Sequence, residues 1–414
     1  MSGGPPRPEV GTADWMRAES HRLLAFPRPP VPPAGGSYWL GDAGEPWTDR
    51  PIHTWITARM TYVYALAELE GVATASERGG DALRGLLGPL HDERFGGWFD
   101  STSPDAEEKS GYAHAFVALA GAAATAARLP GGAELLEDAL DVLDRRFWDE
   151  RAGLAVDVRS RDWSDIAPYR GLNANMHLVE AYLAASELDR PHLLERAIRI
   201  CRRVAGWAAE SEWRVPEHFD DAWNPLRDFN RDAPRDPFKP FGAVPGHGFE
   251  WARLMVQAST GAGAADRAWL LEAAASLYLR ARDDGWMRNG EPGFVYTVDW
   301  AGEPVFDGHL FWVAAEAVTA ADAIHRSPAR VVVADDLERW WAHISRHFID
   351  DVDGSWTHEL DSRNRPSRVI WQGKPDLYHS YQACTMPRFA ISTSLLGSVM
   401  REAPSLSEPL PAEA

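Results

Sequence analysis

Apolar residues recur three and four positions apart over residues 55–69, 113–127, 133–147, 176–187, 192–209, 249–260, 265–282, 310–325 and 335–348. That spacing marks one face of an α-helix. The alanine abundant in these stretches favours helix and close helix packing. Between them a helix end repeatedly meets acidic turn residues, a glycine and an aromatic: His91-Asp-Glu-Arg-Phe-Gly-Gly-Trp-Phe-Asp, Phe147-Trp-Asp-Glu-Arg-Ala-Gly-Leu and Phe348-Ile-Asp-Asp-Val-Asp-Gly-Ser-Trp, with a weaker copy at Asp283-Asp-Gly-Trp-Met. Aspartate and glycine there are turn chemistry. Neighbouring joints fall roughly 55 to 65 residues apart, room for one outer and one inner helix per unit, so about six units fill the chain. Helix pairs cannot bury both faces alone and must stack. Six pairs closing on themselves predict an all-α chain folded as an (α/α)6 barrel; an open solenoid is the structural alternative. Residues 1–12 and 403–414 read as disordered tails. The proline-rich stretch 26–36 reads as a loop within the fold, leaving 13–402 as a single barrel domain.

Composition narrows the partners. Lys and Arg number 42 against 61 Asp and Glu, a formal charge of −19. Such a chain repels phosphate backbones and anionic membranes, and the arginine pairs Arg145/Arg146 and Arg202/Arg203 sit among acids. No nucleic-acid or membrane partner is expected. Two cysteines, Cys201 and Cys384, make neither a disulfide framework nor a zinc knuckle and fit a reducing compartment. The N-terminal stretch lacks the apolar core of a secretory signal. No run of ~18 apolar residues suggests a membrane span. A cytoplasmic protein is expected. The 19 tryptophans suit two uses, filling a large core and stacking on the apolar faces of sugars.

Four segments place polar, aromatic and titratable residues where periodicity would put core. In the first, Trp55, Arg59 and Tyr62 share a helix face by their i, i+4, i+7 spacing. Arg59 either bonds a neighbouring acid or grips sugar hydroxyls through its planar fork. In the second, Asn173 and His177 lie four apart and Glu180 follows by three. In the third, His247 opens a helix with Glu250 and Trp251 behind it. A helix N-terminus disfavours imidazolium and keeps such a histidine neutral. In the fourth, a helix starting near Asp376 carries His379 and, close to a turn on, Gln382. A fifth, weaker segment puts His309, Trp312 and Glu316 on one face, where ordinary packing also accounts for them. Each histidine has the plain alternative of a satisfied core residue. No dinucleotide fingerprint, phosphate loop, HExxH or GxSxG elbow occurs. A three-histidine zinc site from His177, His247 and His379 stays open on residue type.

The stretches TARMTYVYAL, GYAHAFVALA, RGLNANMHLVEAYLAA, PGHGFEWARL, FWVAAEA and GKPDLYHSYQAC, in this order over nearly the whole chain, resemble the N-acylglucosamine 2-epimerase superfamily. They are most similar to its aldose–ketose isomerase branch, the mannose and sulfoquinovose isomerases. The resemblance implies an (α/α)6 barrel with a funnel-shaped pocket, no metal and no organic cofactor, and isomerisation through a cis-enediol. It carries the family histidines onto His177, His247 and His379, the arginine onto Arg59, the asparagine onto Asn173, the glutamates onto Glu250 and Glu316, and a pocket tyrosine onto Tyr112. One departure is Tyr62, where relatives often have a histidine (RMTH).

That chemistry calls for these residue types. The C2–H beside an aldehyde is weakly acidic, so a neutral base must sit close and a donor must hold the developing oxyanion. Histidine takes and returns protons near neutrality. The expectation is interconversion of D-mannose and D-fructose, and of D-lyxose and D-xylulose. His379 carries the proton between C2 and C1, His247 serves the oxygens and His177 assists ring opening. Trp55, Trp312, Tyr112, Gln382, Asn173, Arg59, Glu250 and Glu316 are expected to line the substrate. Rival readings are a sulfoquinovose isomerase, with Lys239 as cation for the sulfonate; a sugar 2-epimerase; and, in another class, a non-catalytic carbohydrate-binding solenoid.

Overall fold

The computed structural model describes residues 8–402 apart from 330 and 332. The expected tail over 403–414, and residues 1–7 of the other, lie outside the described residues. Residues 9–12 instead form a turn that caps the first helix: the Thr12 hydroxyl donates to the Glu9 carbonyl at 2.6 Å and accepts from the Trp15 N–H at 3.4 Å.

Thirteen α-helices run through the described residues: α1 (Ala13–Leu24), α2 (Thr54–Leu69), α3 (Ala75–Leu87), α4 (Gly111–Ala126), α5 (Gly132–Val142), α6 (Leu172–Ser186), α7 (His192–Ala209), α8 (Pro245–Gly261), α9 (Ala264–Gly285), α10 (Phe311–Arg326), α11 (Ala334–His343), α12 (Tyr378–Thr385) and α13 (Leu395–Glu402). The strands are two or three residues long and pair two by two. The all-α expectation is met. The helices expected at 133–147 and 335–348 end in π-helical turns, Leu143–Phe147 and Ile344–Phe348. Periodicity does not reveal α1, α3 or α13.

One compact unit comprises Pro30–Trp39, Trp47–Ile200 and the residues from Ile391. Its inner row is α2, α4 and α6, with α4 packed on both neighbours; α3 lies against α2, and α5 against α4. The three inner helices are buried along nearly their whole length, whereas α3 and α5 bury one face. Gly121 sets the closest approach of α4 to α5, because a Cβ there would stand 2.8 Å from the Leu136 backbone.

The second unit comprises the chain up to Pro29, Leu40–Pro46 and Cys201–Ala390. Its inner row is α8, α10 and α12, backed by α9, α11 and α1 respectively. Between α8 and its backing, the Phe249 ring lies 5.6 Å from Tyr278, 5.2 Å from Phe294 and 5.6 Å from Trp340. Burying such a ring contributes about 1.5–3 kcal/mol. Each unit thus contains three inner helices with partners outside them.

The acidic joints share one turn. Asp92, Asp149 and Asp350 each accept the backbone N–H groups two and three residues on. Gly96, Gly153 and Gly354 then take positive φ of 74°, 70° and 96°, which glycine alone adopts without strain. Antiparallel bridges close the turns at His91–Trp98, Trp148–Ala155 and Ile349–Trp356. At the weaker copy Gly285 ends α9, and the turn passes instead through Met287 at φ 55°.

Cys201 and Cys384 are free and buried. Burial pushes the Cys201 thiol up to about 12. Among the described residues no helix is long and apolar enough to cross a membrane.

Two buried histidines are expected to weaken the fold in acid. His114 of α4 lies within the GYAHAF stretch but faces away from Tyr112's partners: its Nε2 accepts the Trp98 N–H at 3.0 Å and its Nδ1 lies 2.7 Å from the Ser110 carbonyl. Burial lowers its pKa to about 3. His343 sits 5.5 Å from the Trp286 ring and 5.6 Å from Phe348, and neither of its nitrogens has a hydrogen-bond partner among the described residues. Burial, with His347 and His309 nearby, lowers it to about 3 as well. Both rings titrate near 6.5 once unfolded, so below that pH the unfolded chain binds protons that the folded one refuses. Stability is fully present above about pH 6.5 and falls as pH drops toward 3, on the order of 1 kcal/mol per histidine by about pH 5.5. His343→Phe is expected to leave Tm at neutral pH unchanged or raised, and to shrink its fall on acidification. Thermal melts across this range check it; an undiminished fall would contradict it.

Candidate active site

In the unit built on α8, α10 and α12, the inner helices present one connected set of charges. His379, the second residue of α12, brings Nδ1 to 2.8 Å from Glu316 Oε1 on α10. Glu316 Oε2 accepts from Arg253 Nε on α8 at 2.9 Å. Arg253 also reaches Glu250 Oε1 at 3.4 Å and Gln257 Oε1 at 3.2 Å along its own helix. Glu250, Arg253 and Glu316 are each 1 % exposed. Burial raises the Glu316 carboxyl, but the Arg253 charge and the His379 contact outweigh it and hold the group at about 2. Glu316 is therefore ionised and can only accept. That puts the proton of the neutral His379 ring on Nδ1 and makes Nε2 the nitrogen that carries the lone pair.

His247 is the third residue of α8, after Pro245 opens the helix. Its Nδ1 lies 3.0 Å from Glu217 Oε1, just ahead of the strand His218–Phe219. The approach is off the axis of a formed hydrogen bond, and neither atom has another such partner, so the contact is electrostatic in this state. Trp312 of α10 stands beside both imidazoles, its ring 5.2 Å from His247 and 5.7 Å from His379, tilted 35° and 37°. Gly246 allows this, since a Cβ there would come 2.5 Å from the indole. A half-buried indole flanked by two histidines offers a flat apolar face beside two proton-transfer groups. Gln382, 1 % exposed, has both amide atoms buried without a hydrogen-bond partner.

Two expectations change here. His309 does not share a helical face with Trp312 and Glu316, because α10 begins only at Phe311. His309 lies in a short strand with its nitrogens 2.9 Å from Asn364 Oδ1 and 3.2 Å from Asn289 Nδ2, so it ties turns together. The start of α12 falls at Tyr378, two residues beyond Asp376, which instead accepts the Tyr378 N–H at 2.9 Å. Lys239 is held by its backbone, its N–H on Asp236 Oδ1 and its carbonyl on Asn230 Nδ2.

In the unit built on α2, α4 and α6, the first and second segments come together with Tyr112 of the GYAHAF stretch. Arg59 Nη2 donates to Tyr112 Oη at 3.0 Å, and the guanidinium lies 4.9 Å over Trp55 and 4.5 Å over Phe116. The His177 ring is 5.2 Å from Tyr112 and 4.3 Å from Phe116, with Nδ1 3.7 Å from Glu180 Oε2. Asn173 stands one turn before His177, its Oδ1 buried and without a hydrogen-bond partner. Tyr62 is buried in α2, 1 % exposed. Arg59 is thus a planar donor seated on aromatic rings, the setting in which arginine and lysine are least interchangeable.

The sequence reading did not point to Glu217, Arg253 or Phe116. Arg253, three residues after Glu250 on one helix, was open to the same spacing argument as Arg59. Glu217 offers no such signal, since thirty residues of loop and strand separate it from His247.

Comparison with known proteins gives the family and the fold class. The N-acylglucosamine 2-epimerase family model matches residues 35–383. A D-mannose isomerase of Thermobifida fusca is 42% identical over 392 residues, covering 93% of this chain and 96% of that protein. The crystal structure of a D-mannose isomerase superposes with a TM-score of 0.85 at 26% identity, covering 92% of this chain and 99% of the other. The cellobiose 2-epimerase of Spirochaeta thermophila DSM 6192 shares the fold at a TM-score of 0.79 and 22% identity, covering 91% and 96%. These neighbours place the fold in the (α/α)6-barrel class. The chain belongs to the N-acylglucosamine 2-epimerase family.

Proposed function

We propose that this chain is a D-mannose isomerase that interconverts D-mannose and D-fructose, with D-lyxose and D-xylulose as a second pair, residues 13–402 serving one reaction. The observation that carries the reading is the buried chain His379–Glu316–Arg253, in which the ionised carboxylate engages Nδ1 and so makes Nε2 the basic nitrogen of the imidazole. In the open-chain aldose, His379 Nε2 takes the proton from C2 while His247 gives one to the carbonyl oxygen at C1. The product is a cis-enediol. His247 then takes the proton of the C2 hydroxyl as His379 returns its own to C1, so both histidines end as they began. His177 assists opening of the hemiacetal ring, and Arg59, Trp55, Tyr112, Asn173, Glu250, Trp312 and Gln382 hold the sugar. The family resemblance supports these roles. Every proton movement has a protein donor or acceptor, so no metal is required. Free, buried thiols fit a cytoplasmic setting.

Incubating the chelator-treated protein with mannose, lyxose, glucose and sulfoquinovose, read by carbon NMR, tests this. Fructose from mannose and xylulose from lyxose are expected. Epimeric aldose as sole product would make it an epimerase, turnover of sulfoquinovose alone would move the substrate, and no turnover would favour a binding protein. Loss of activity in EDTA, restored by one divalent ion, would overturn the metal-free mechanism.

A further inference from the structure

His247 and His379 each have a carboxylate at Nδ1, but the two carboxylates are held differently. Glu316 is fixed by Arg253 and makes a formed bond to His379. Glu217, 5 % exposed, lies 3.0 Å from His247 off the hydrogen-bond axis, and no lysine or arginine pairs with it among the described residues. Its place in the fold is nevertheless fixed. The next residue, His218, bonds the Pro240 carbonyl through Nε2 at 2.8 Å, and its own carbonyl accepts the Leu226 N–H at 2.8 Å.

We propose that Glu217 is the positioning residue for His247. It keeps a proton on Nδ1, turns Nε2 toward the sugar oxygens, and stabilises the imidazolium form that must donate to the C1 oxygen. This rests on the reading of the chain as an aldose–ketose isomerase. The need is physical: His247 sits in the first turn of α8, where the helix N-terminus disfavours a cation, yet an oxygen-protonating group must be charged before it acts. A buried carboxylate at Nδ1 offsets the helix end. The off-axis contact suits a bond that tightens only when His247 is charged, as catalytic contacts often do on substrate binding. The groups facing His247 are Glu217 just ahead of the strand, His218 within it, Trp312 from α10, and Glu250 one turn along α8, while Lys239 of the following loop acts on His218. Glu250 is engaged by Arg253, which leaves Glu217 as the anion at Nδ1.

The test uses the full chain with Glu217→Gln and Glu217→Asp, following nitrogen-resolved imidazole NMR across pH and the pH profile of kcat/KM for mannose. Glu217→Gln should lower the His247 titration midpoint by about one unit or more, shift the acidic limb by the same amount, and reduce kcat more than it raises KM. Glu217→Asp should keep the midpoint near that of the wild type, and His379 should titrate unchanged in both. An unmoved His247 midpoint in Glu217→Gln would overturn the assignment, even with a slower enzyme. If that variant does not fold, the wild type decides: neutral His247 must carry its proton on Nδ1, and a proton on Nε2 overturns the proposal. The NMR arm needs no turnover, so failure of the functional reading shows separately, as a protein that isomerises no aldose.

Discussion

Replacing His379 by alanine is expected to lower kcat for mannose isomerisation about 10²–10⁴-fold, the usual cost of removing a general base. It should also abolish exchange of the mannose C2 hydrogen with deuterium oxide. The expectation follows from the tautomer. Glu316 is ionised and occupies Nδ1, so the basic lone pair of neutral His379 is on Nε2. His247→Ala should be slow for another reason, having lost the group that serves the oxygens, and should retain more C2 exchange. If the His379 variant exchanged C2–H while the His247 variant did not, the two roles would have to be swapped. Free exchange in both would refute the mechanism.

Arg253→Met is expected to destabilise the fold by about 3–5 kcal/mol, because it leaves buried charge without its partner. Arg253 is 1 % exposed and is the cation bonded to both Glu316 and Glu250. In the wild type, Glu316 is held at about 2, below its ordinary 4.5. Its ionised form therefore adds stability above pH 4.5 that is lost as pH falls toward 2. Without Arg253 the His379 contact alone opposes burial, and the carboxyl rises from that value. The stability that ionisation adds above pH 4.5 shrinks accordingly, so the variant should lose less than the wild type on acidification. Thermal melts at several pH values should show the variant gaining on the wild type in acid. A deficit independent of pH would mean that Arg253 contributes packing rather than charge balance.

Inner helices α2, α4, α6, α8 and α10 were legible as long apolar runs, whereas the eight-residue α12 was legible only through the polar residues around His379. The fold class followed from their number and from the recurring joint, which the structure shows to be one aspartate-capped hairpin used three times. Helix α3 escaped notice because Gly79, Gly80 and Gly85 dilute its helical signal. A second recurrence was also present. An apolar residue is followed six positions on by proline at Leu40/Pro46, Phe219/Pro225, Val298/Pro304 and Leu360/Pro366, and each pair bridges a tight turn. Three of these turns precede α8, α10 and α12, so the pattern marks where the inner helices of that unit begin. Within a helix, spacing alone placed Asn173 beside His177. What spacing could not supply is partnership across helices. Glu316 meets His379 over 63 positions, and Glu217 meets His247 from a loop. His309 shows the converse error: three residues before Trp312, it reads as helical, but the chain is still extended there.

The central claim is that protein side chains move a proton between C2 and C1 of mannose. The most direct measurement is the position of isotope in the product formed from mannose in deuterium oxide by the chelator-treated protein. The account predicts fructose carrying solvent deuterium at C1, with deuterium also entering C2 of recovered mannose. Fructose that retains the original C2 hydrogen at C1, free of solvent deuterium throughout the reaction, would contradict it and point to transfer of hydride instead.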